Sequence, residues 1–327
     1  MKRLPVPKRF CNNRAKSLLQ ISLIICTYNR GELLPRCLVN ATSQSLPRED
    51  YEVIVVDNAS ADNTHAIVQQ FSRVRYLYCA TRGLSSARNT GVAAARAAVV
   101  AFIDDDCIAD FNLLAELLRT FAANPDAGCV GGAIEVRMPA PLPRWYAQQF
   151  AGYFGEYAAQ GSRVTELAHY PFGGNLAIRK DALIEAGYFS EKLGRVGRNH
   201  AGGEELDLQC RIARLGYAIY VNSHARVTHV MLPRRMTWGH VMNSARAAGR
   251  NWAYYDTEFL KNRSQWRKDL RLLIGAVARL TTKGGFYIAL HDCLFFSAKV
   301  LARVSSTSFI TVLQFLCVLT VANLESK

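Results

Sequence analysis

The chain has 327 residues, half of them hydrophobic, and a formal net charge of +14 at pH 7. That much apolar sequence can bury one large core or two, and the charge taken alone points to nucleic acid or an anionic membrane. Its distribution argues against the first. Positions 1–16 hold six basic and no acidic residues, 17–229 hold 20 and 21, 230–283 hold 11 and three, and 284–327 hold three and two. The middle is near neutral, the excess sits in two flanks, and no nucleic-acid-binding motif accompanies it. The nine cysteines are scattered without a C-x-x-C pair. That argues against a zinc or thioredoxin-like site and for a reducing, cytoplasmic setting. Residues 1–20 form a basic tail without the apolar stretch of a signal peptide.

From residue 21 to about 123, strand and helix alternate. Strands are predicted at 21–26, 52–56, 74–78 and 98–103, and helices at 32–43, 61–71, 84–95 and 112–121. This order predicts a parallel α/β sheet with right-handed crossovers. Polar residues close three of the strands: Thr27, Tyr28, Asn29 and Arg30; then Asp57, Asn58 and Ser60; then Asp104, Asp105 and Asp106. Open α/β sheets hold their ligands along that edge. After an apolar run at 128–134 the sequence changes character. Pro139, Pro141 and Pro143 precede Trp145, and aromatics recur at Phe150, Tyr153, Phe154 and Tyr157. So long an excursion is either a flap packed on the core or a surface that touches substrate. Regular patterning resumes at 172–178, with helices at 180–186 and up to 215, and strands near 217–221 and 226–230.

Asp104, Asp105 and Asp106 end an apolar run and are the most informative residues of the chain. Three carboxylates cannot sit unpaired inside a buried sheet, so they belong at the strand's carboxyl end. Clustered oxygen ligands there suit a hard divalent cation, Mn2+ or Mg2+, arriving with phosphate. The competing reading is an acidic turn before a helix capped by Asp110. No G-x-G-x-x-G follows the first strand and there is no P-loop, so a nicotinamide-dependent dehydrogenase is not expected.

Six motifs in order resemble family 2 glycosyltransferases. They are Ile24 to Arg30, Val55 to Ser60, Gly83 to Gly91, Phe102 to Asp106, Gly173-Gly174-Asn175, and Gly203-Glu204-Glu205-Leu206-Asp207-Leu208. The resemblance covers 21–230 and implies an α/β fold of GT-A type with a mostly parallel central sheet. It implies a nucleotide-sugar half at about 21–110 and an acceptor half at about 125–230. It also implies inverting, metal-dependent transfer from a nucleotide-sugar, UDP-sugar favoured, to an acceptor hydroxyl; that the acceptor is a saccharide or lipid-linked is expected from the C-terminal extension beyond residue 230.

By that resemblance Asp57 recognises the nucleotide base, with Thr27, Asn29 and Arg30 alongside. Arg88 and Asn89 line the nucleotide pocket, a structural role for Asn89 being the alternative. Asp104 faces ribose or metal, Asp106 ligates the metal directly, and Asp105 caps or orients on the donor side. His229 is a third metal ligand or a structural strand-end histidine. Relatives carry Glu-Asp where this chain has Glu204-Glu205, so Glu205 is the expected base, Glu204 the fallback and Asp207 the third choice. Gly173, Gly174, Asn175, Asp207 and Trp145 are expected on the acceptor side.

Beyond residue 230 the resemblance weakens. Basic residues including Arg234, Arg235, Arg246 and Arg250 alternate with Trp238, Trp252, Tyr254 and Tyr255, and apolar stretches follow at 286–301 and 309–322. This helical extension, 231–327, suits peripheral association with an anionic membrane surface on its cytosolic face, ahead of amphipathic packing and of a true span. An inactive glycosyltransferase-like scaffold is the second functional reading, and the intact acids argue against it.

Overall fold

The computed structural model describes residues 19–160, 162–166, 169–195, 202–258, 266–279 and 286–301. The first half alternates as the sequence predicts: β1 (Ile21–Thr27), α1 (Leu34–Ala41), β2 (Tyr51–Asp57), α2 (Thr64–Val68), β3 (Val74–Tyr78), α3 (Leu84–Ala94), β4 (Val99–Asp104). Every residue of β2 is buried, as are nearly all those of β1 and β4, the signature of parallel strands covered on both faces. α2 is shorter than the predicted 61–71. Asp62 accepts hydrogen bonds from the backbone N–H groups of Gly31 and Thr64, and this side-chain turn displaces the first helical turn.

Then follow β5 (Cys107–Ala109), α4 (Leu113–Ala123), β6 (Ala127–Arg137), β7 (Arg163–Val164), β8 (Asn175–Arg179), α5 (Lys180–Glu185), α6 (Glu204–Arg214) and β9 (Ala218–Val230). Asp110 accepts a hydrogen bond from the Asn112 N–H just ahead of α4. The sheet runs β3-β2-β1-β4-β8-β6-β9-β5, with β7 on β9. The pairings from β3 to β4 are parallel, whereas β8 is antiparallel to both β4 and β6. The chain reaches β8 through the aromatic excursion rather than a crossover helix, so the parallel rule does not bind it. The two strands predicted near 217–221 and 226–230 are one long strand, in which the register to β6 shifts between Asn222 and Arg226.

Side chains alternate across the strands. Ile21, Leu23 and Ile25 face α1 and α4 in one core, and Ile24, Ile54, Val56 and Phe102 face α3, α5 and α6 in the other. The seven described cysteines are free thiols, most of them buried.

The extension forms α7 (Trp238–Glu258), α8 (Trp266–Arg279) and α9 (Phe286–Leu301), with α9 packed against both others. Asp269 and Lys299 pair at 3.1 Å within this packing, both buried. The aromatic excursion joins it: Phe150, Phe154, Trp145 and Tyr146 cluster with Met231, Met236 and Trp238. Among the described residues no helix is long and apolar enough to cross a membrane. The 309–322 stretch and most of the basic tail lie outside the described residues.

Candidate functional site

A cleft of about 400 Å³ opens at the carboxyl edge of β1 and β4. Strand register builds one wall. β1 and β4 are paired with Cys26 opposite Asp104, so Thr27 and Arg30 emerge beside the three acids. β5 pairs with β9 with Cys107 opposite His229, which brings His229 alongside Asp106. α6 supplies the facing wall through Glu204 and Glu205, both at the start of that helix, where the helix dipole favours carboxylates.

The acids are already engaged. Arg30 Nη1 donates to Asp105 Oδ1 and to Asp106 Oδ2, each at 2.8 Å, and Thr27 Oγ1 donates to Asp105 Oδ2 at 2.8 Å. Arg235 Nη1 donates to Asp106 Oδ2 at 3.1 Å. Burial pushes both carboxyls up. At Asp105 burial wins over Arg30 and raises it to about 6. At Asp106 the nearby His229, Arg30 and Arg235 outweigh burial and hold it well below the usual carboxylate range. Burial lowers the basicity of His229, and Asp106 more than restores it.

His229 Nε2 lies 3.2 Å from Asp106 Oδ2 yet is buried with no hydrogen-bond partner among the described residues. This imidazole nitrogen beside a carboxylate, with Asp104 lining the same cleft, has the nitrogen and oxygen donor chemistry that divalent cations use. The described residues include no group of three such side chains already gathered around one point. One or two protein ligands plus substrate phosphates are what Mg2+ ordinarily uses.

Across the cleft, Arg88 of α3 is buried and donates to Glu204 Oε1 at 2.7 Å. Its guanidinium sits over the rings of Phe102 and Phe189, at 5.8 and 5.3 Å from their centroids. Burial and neighbouring Glu205 push Glu204 up to about 7, with Arg88 pulling the other way. Glu204 Oε2 and Glu205 Oε2 are buried without a hydrogen-bond partner among the described residues. The glycine pair before β8 is explained by this wall. A Cβ at Gly173 would lie 2.5 Å from Arg88 Nη2, and one at Gly174 would lie 3.0 Å from Asp104 Oδ2.

Thr27, Arg30, Arg88, the three aspartates, Gly173, Gly174, both glutamates and His229 thus meet at one cleft. The other expected site residues stand back from it. Asp57 is buried, accepting from the Ser60 N–H and the Tyr76 hydroxyl, each at 2.8 Å. Asn29 is exposed and accepts from the Ala61 N–H at 2.7 Å. Asn89 holds the backbone of Phe189 through both its amide atoms. The Asn175 amide donates to Ala133 O and Ala225 O, pinning β6 to β9. Asp207 pairs with Arg211 at 2.7 Å, and Trp145 stacks on Phe154 within the aromatic cluster.

Several lining residues went unassigned in the sequence reading. Arg235, grouped there with membrane-facing basic residues, turns inward to Asp106, and Arg234 pairs with Glu32 at 2.7 Å. The signal was the Arg pair just beyond His229. Asn58 donates to Thr81 O and accepts from the Gly83 N–H, closing the cleft's side. Arg82 lies over the Tyr28 ring at 5.0 Å. Tyr153, from the excursion, meets His291 Nε2 at 2.6 Å, and His291 Nδ1 meets Asp292 at 2.9 Å, linking α9 to the cleft.

The sequence model of glycosyl transferase family 2 matches residues 22–187. A glucosyl-dolichyl phosphate glucuronosyltransferase of Haloferax volcanii is 27% identical over 225 residues, covering 66% of this chain and 71% of the relative. The glycosyltransferase AglE of the same organism is 36% identical over 185 residues, covering 55% and 59%. A mannosyltransferase from Pyrobaculum calidifontis, solved in complex with GDP-Man and Mn2+, superposes with a TM-score of 0.59 at 19% identity, covering 94% of this chain and 88% of that one. That likeness, at under a quarter identity, is one of fold. With its motifs in order and half its length matched, the chain belongs to glycosyl transferase family 2 and is a glycosyltransferase.

Proposed function

We propose that the chain transfers a sugar from a nucleotide-sugar to an acceptor hydroxyl with inversion, in glycolipid or cell-surface polysaccharide synthesis. The observation that carries this reading is one cleft with aspartates and arginines on one wall and a partly unsatisfied glutamate pair on the other. Arg30 and Arg235 suit the diphosphate, because guanidinium groups bind phosphate oxygens in a fixed fork. Asp106, Asp104 and His229 would hold Mn2+ or Mg2+. Bound there, the cation would neutralise charge developing on the departing diphosphate.

The chain's own groups supply the rest. Glu205 is the base we favour, since Arg88 already claims Glu204. The Glu205 carboxylate takes the proton from the acceptor hydroxyl as its oxygen attacks the anomeric carbon. The bond from that carbon to the diphosphate oxygen breaks, and its electron pair leaves with the diphosphate. Attack opposite the leaving group inverts the centre. Glu204 is buried and Glu205 half-buried with its Oε2 atom shielded, so the base sits where little water reaches it. Asp57 and Asn58 order the turn beneath the nucleotide.

The reading is tested by incubating the full chain with UDP- and GDP-sugars and Mn2+. Slow release of nucleoside diphosphate, lost on removing the metal and in Asp106→Asn, is expected. Release that persists unchanged in that variant would remove Asp106 from the site, and no release or binding of any nucleotide-sugar would overturn the reading.

We further propose that the extension beyond residue 230, while lending Arg235 to the cleft, rests on the cytosolic face of a membrane, beside a lipid-linked acceptor. The excess of basic over acidic residues in 230–283 and the relative named for glucosyl-dolichyl phosphate support this. Flotation with anionic liposomes should be weakened by salt, which screens charge over about 8–10 Å. Protein that never floats would show the extension to be ordinary packing.

A further inference from the structure

A second cavity, of about 180 Å³, lies behind the glutamate wall. Tyr170, Phe172, Glu205, Asn251, Trp252 and Tyr255 line it, and Phe172 and Glu205 line the main cleft as well. Three segments far apart in sequence build it: the end of the aromatic excursion, the start of α6, and α7 of the extension. Their junction is tight. Gly203 carries φ +94°, its carbonyl accepts from the Tyr255 hydroxyl, and a Cβ there would come within 2.4 Å of that hydroxyl. α7 is therefore clamped to the turn that carries both glutamates, and Tyr255 is fully buried in doing so.

The lining has a definite chemistry. Flat aromatic faces offer area to the C–H faces of a ring, while an amide and a carboxylate offer partners to its hydroxyls. Glu205 Oε2 is buried and lacks a hydrogen-bond partner among the described residues, a debt that a ligand hydroxyl would settle. At less than half the volume of the main cleft, and below the roughly 300–1,000 Å³ of sites that enclose drug-sized ligands, the cavity has room for one sugar ring.

We propose that this cavity receives the terminal sugar ring of the acceptor. Trp252 is its stacking wall, Asn251 a hydrogen-bond partner, and Glu205 the group at which its reacting hydroxyl arrives. The inference rests on the transferase reading above and adds that the C-terminal extension selects the acceptor. The acceptor class is a pyranoside end rather than a bare lipid phosphate.

Saturation-transfer NMR on the full chain, with UDP or GDP present, tests it with methyl glucopyranoside, methyl mannopyranoside and farnesyl phosphate as probes. At least one methyl glycoside should bind, and Trp252→Ala should weaken it about tenfold, the loss of one aromatic anchor. Trp252→Phe should recover most of that affinity, and Asn251→Ala should weaken it several-fold. In turnover the same variants should raise the KM for the glycoside more than they lower kcat. The proposal is overturned if farnesyl phosphate binds and no glycoside does. It is also overturned if glycoside binding is indifferent to Trp252→Ala in protein that melts like the parent. Failure of the wild type to bind either nucleoside diphosphate would instead sink the transferase reading.

Discussion

The two walls of the cleft differ in how their carboxylates are satisfied. On the β1–β4 side, Asp57 is held by Ser60 and Tyr76, Asp105 by Thr27 and Arg30, and Asp106 by Arg30 and Arg235. On the α6 side, Glu204 and Glu205 each keep a buried oxygen without a hydrogen-bond partner among the described residues. A buried unmade hydrogen bond costs about 1–3 kcal/mol, so the α6 carboxylates carry a demand that Asp105 and Asp106, with their arginines, do not. In the proposed reaction the first wall seats the donor diphosphate, with Arg30 and Arg235 held in place by Asp105 and Asp106. The second awaits a polar ligand.

The comparison breaks most readily at Arg235, the residue from beyond β9 that joins the donor wall. Arg235→Ala should raise the KM for a nucleotide-sugar about tenfold, in line with a charge-assisted contact to phosphate, and leave glycoside binding alone. Steady-state kinetics with donor and acceptor varied separately would show it. An effect confined to the acceptor would mean that the two walls are not separate.

A smaller effect sharpens the α6 wall. Glu204 is pushed up to about 7 from its ordinary 4.5, so between those values the folded chain keeps a proton that the unfolded chain has released. Stability contributed by that protonated state is therefore lost as pH rises through the interval, by about 1–3 kcal/mol. Asp105, raised to about 6, acts in the same sense and is shared by wild type and variant. Melting curves of wild type and Glu204→Gln should show the wild type falling relative to the variant between about pH 5 and about pH 7.5. Parallel curves would mean that Arg88 keeps Glu204 ionised throughout.

What could be read from the sequence follows the same division. The strands of the β1–β4 side are short apolar runs closed by polar residues, a local pattern, and their parallel register brings those residues to one edge without further information. The α6 side is assembled from contacts of long range. Nothing near Glu205 in sequence points to Trp252, and Arg235 read as surface charge because its partner Asp106 is 129 residues away. Asn89, Asn175 and Asp207 stand in recognisable motifs, yet their side chains hold backbone or a neighbouring arginine. Residue type and spacing identified the motif there, and only the packing showed which members face the cleft.

The central claim is that the glutamate shared by the two cavities takes the acceptor's proton. The direct measurement is kcat for sugar transfer by Glu205→Gln and Glu204→Gln, with donor affinity measured alongside. Glu205→Gln should lose about 10²-fold or more in kcat, as loss of a general base requires, while binding the donor as before. Glu204→Gln should lose less. Normal turnover by Glu205→Gln beside an inactive Glu204→Gln would contradict the account and move the base to the arginine-paired carboxylate.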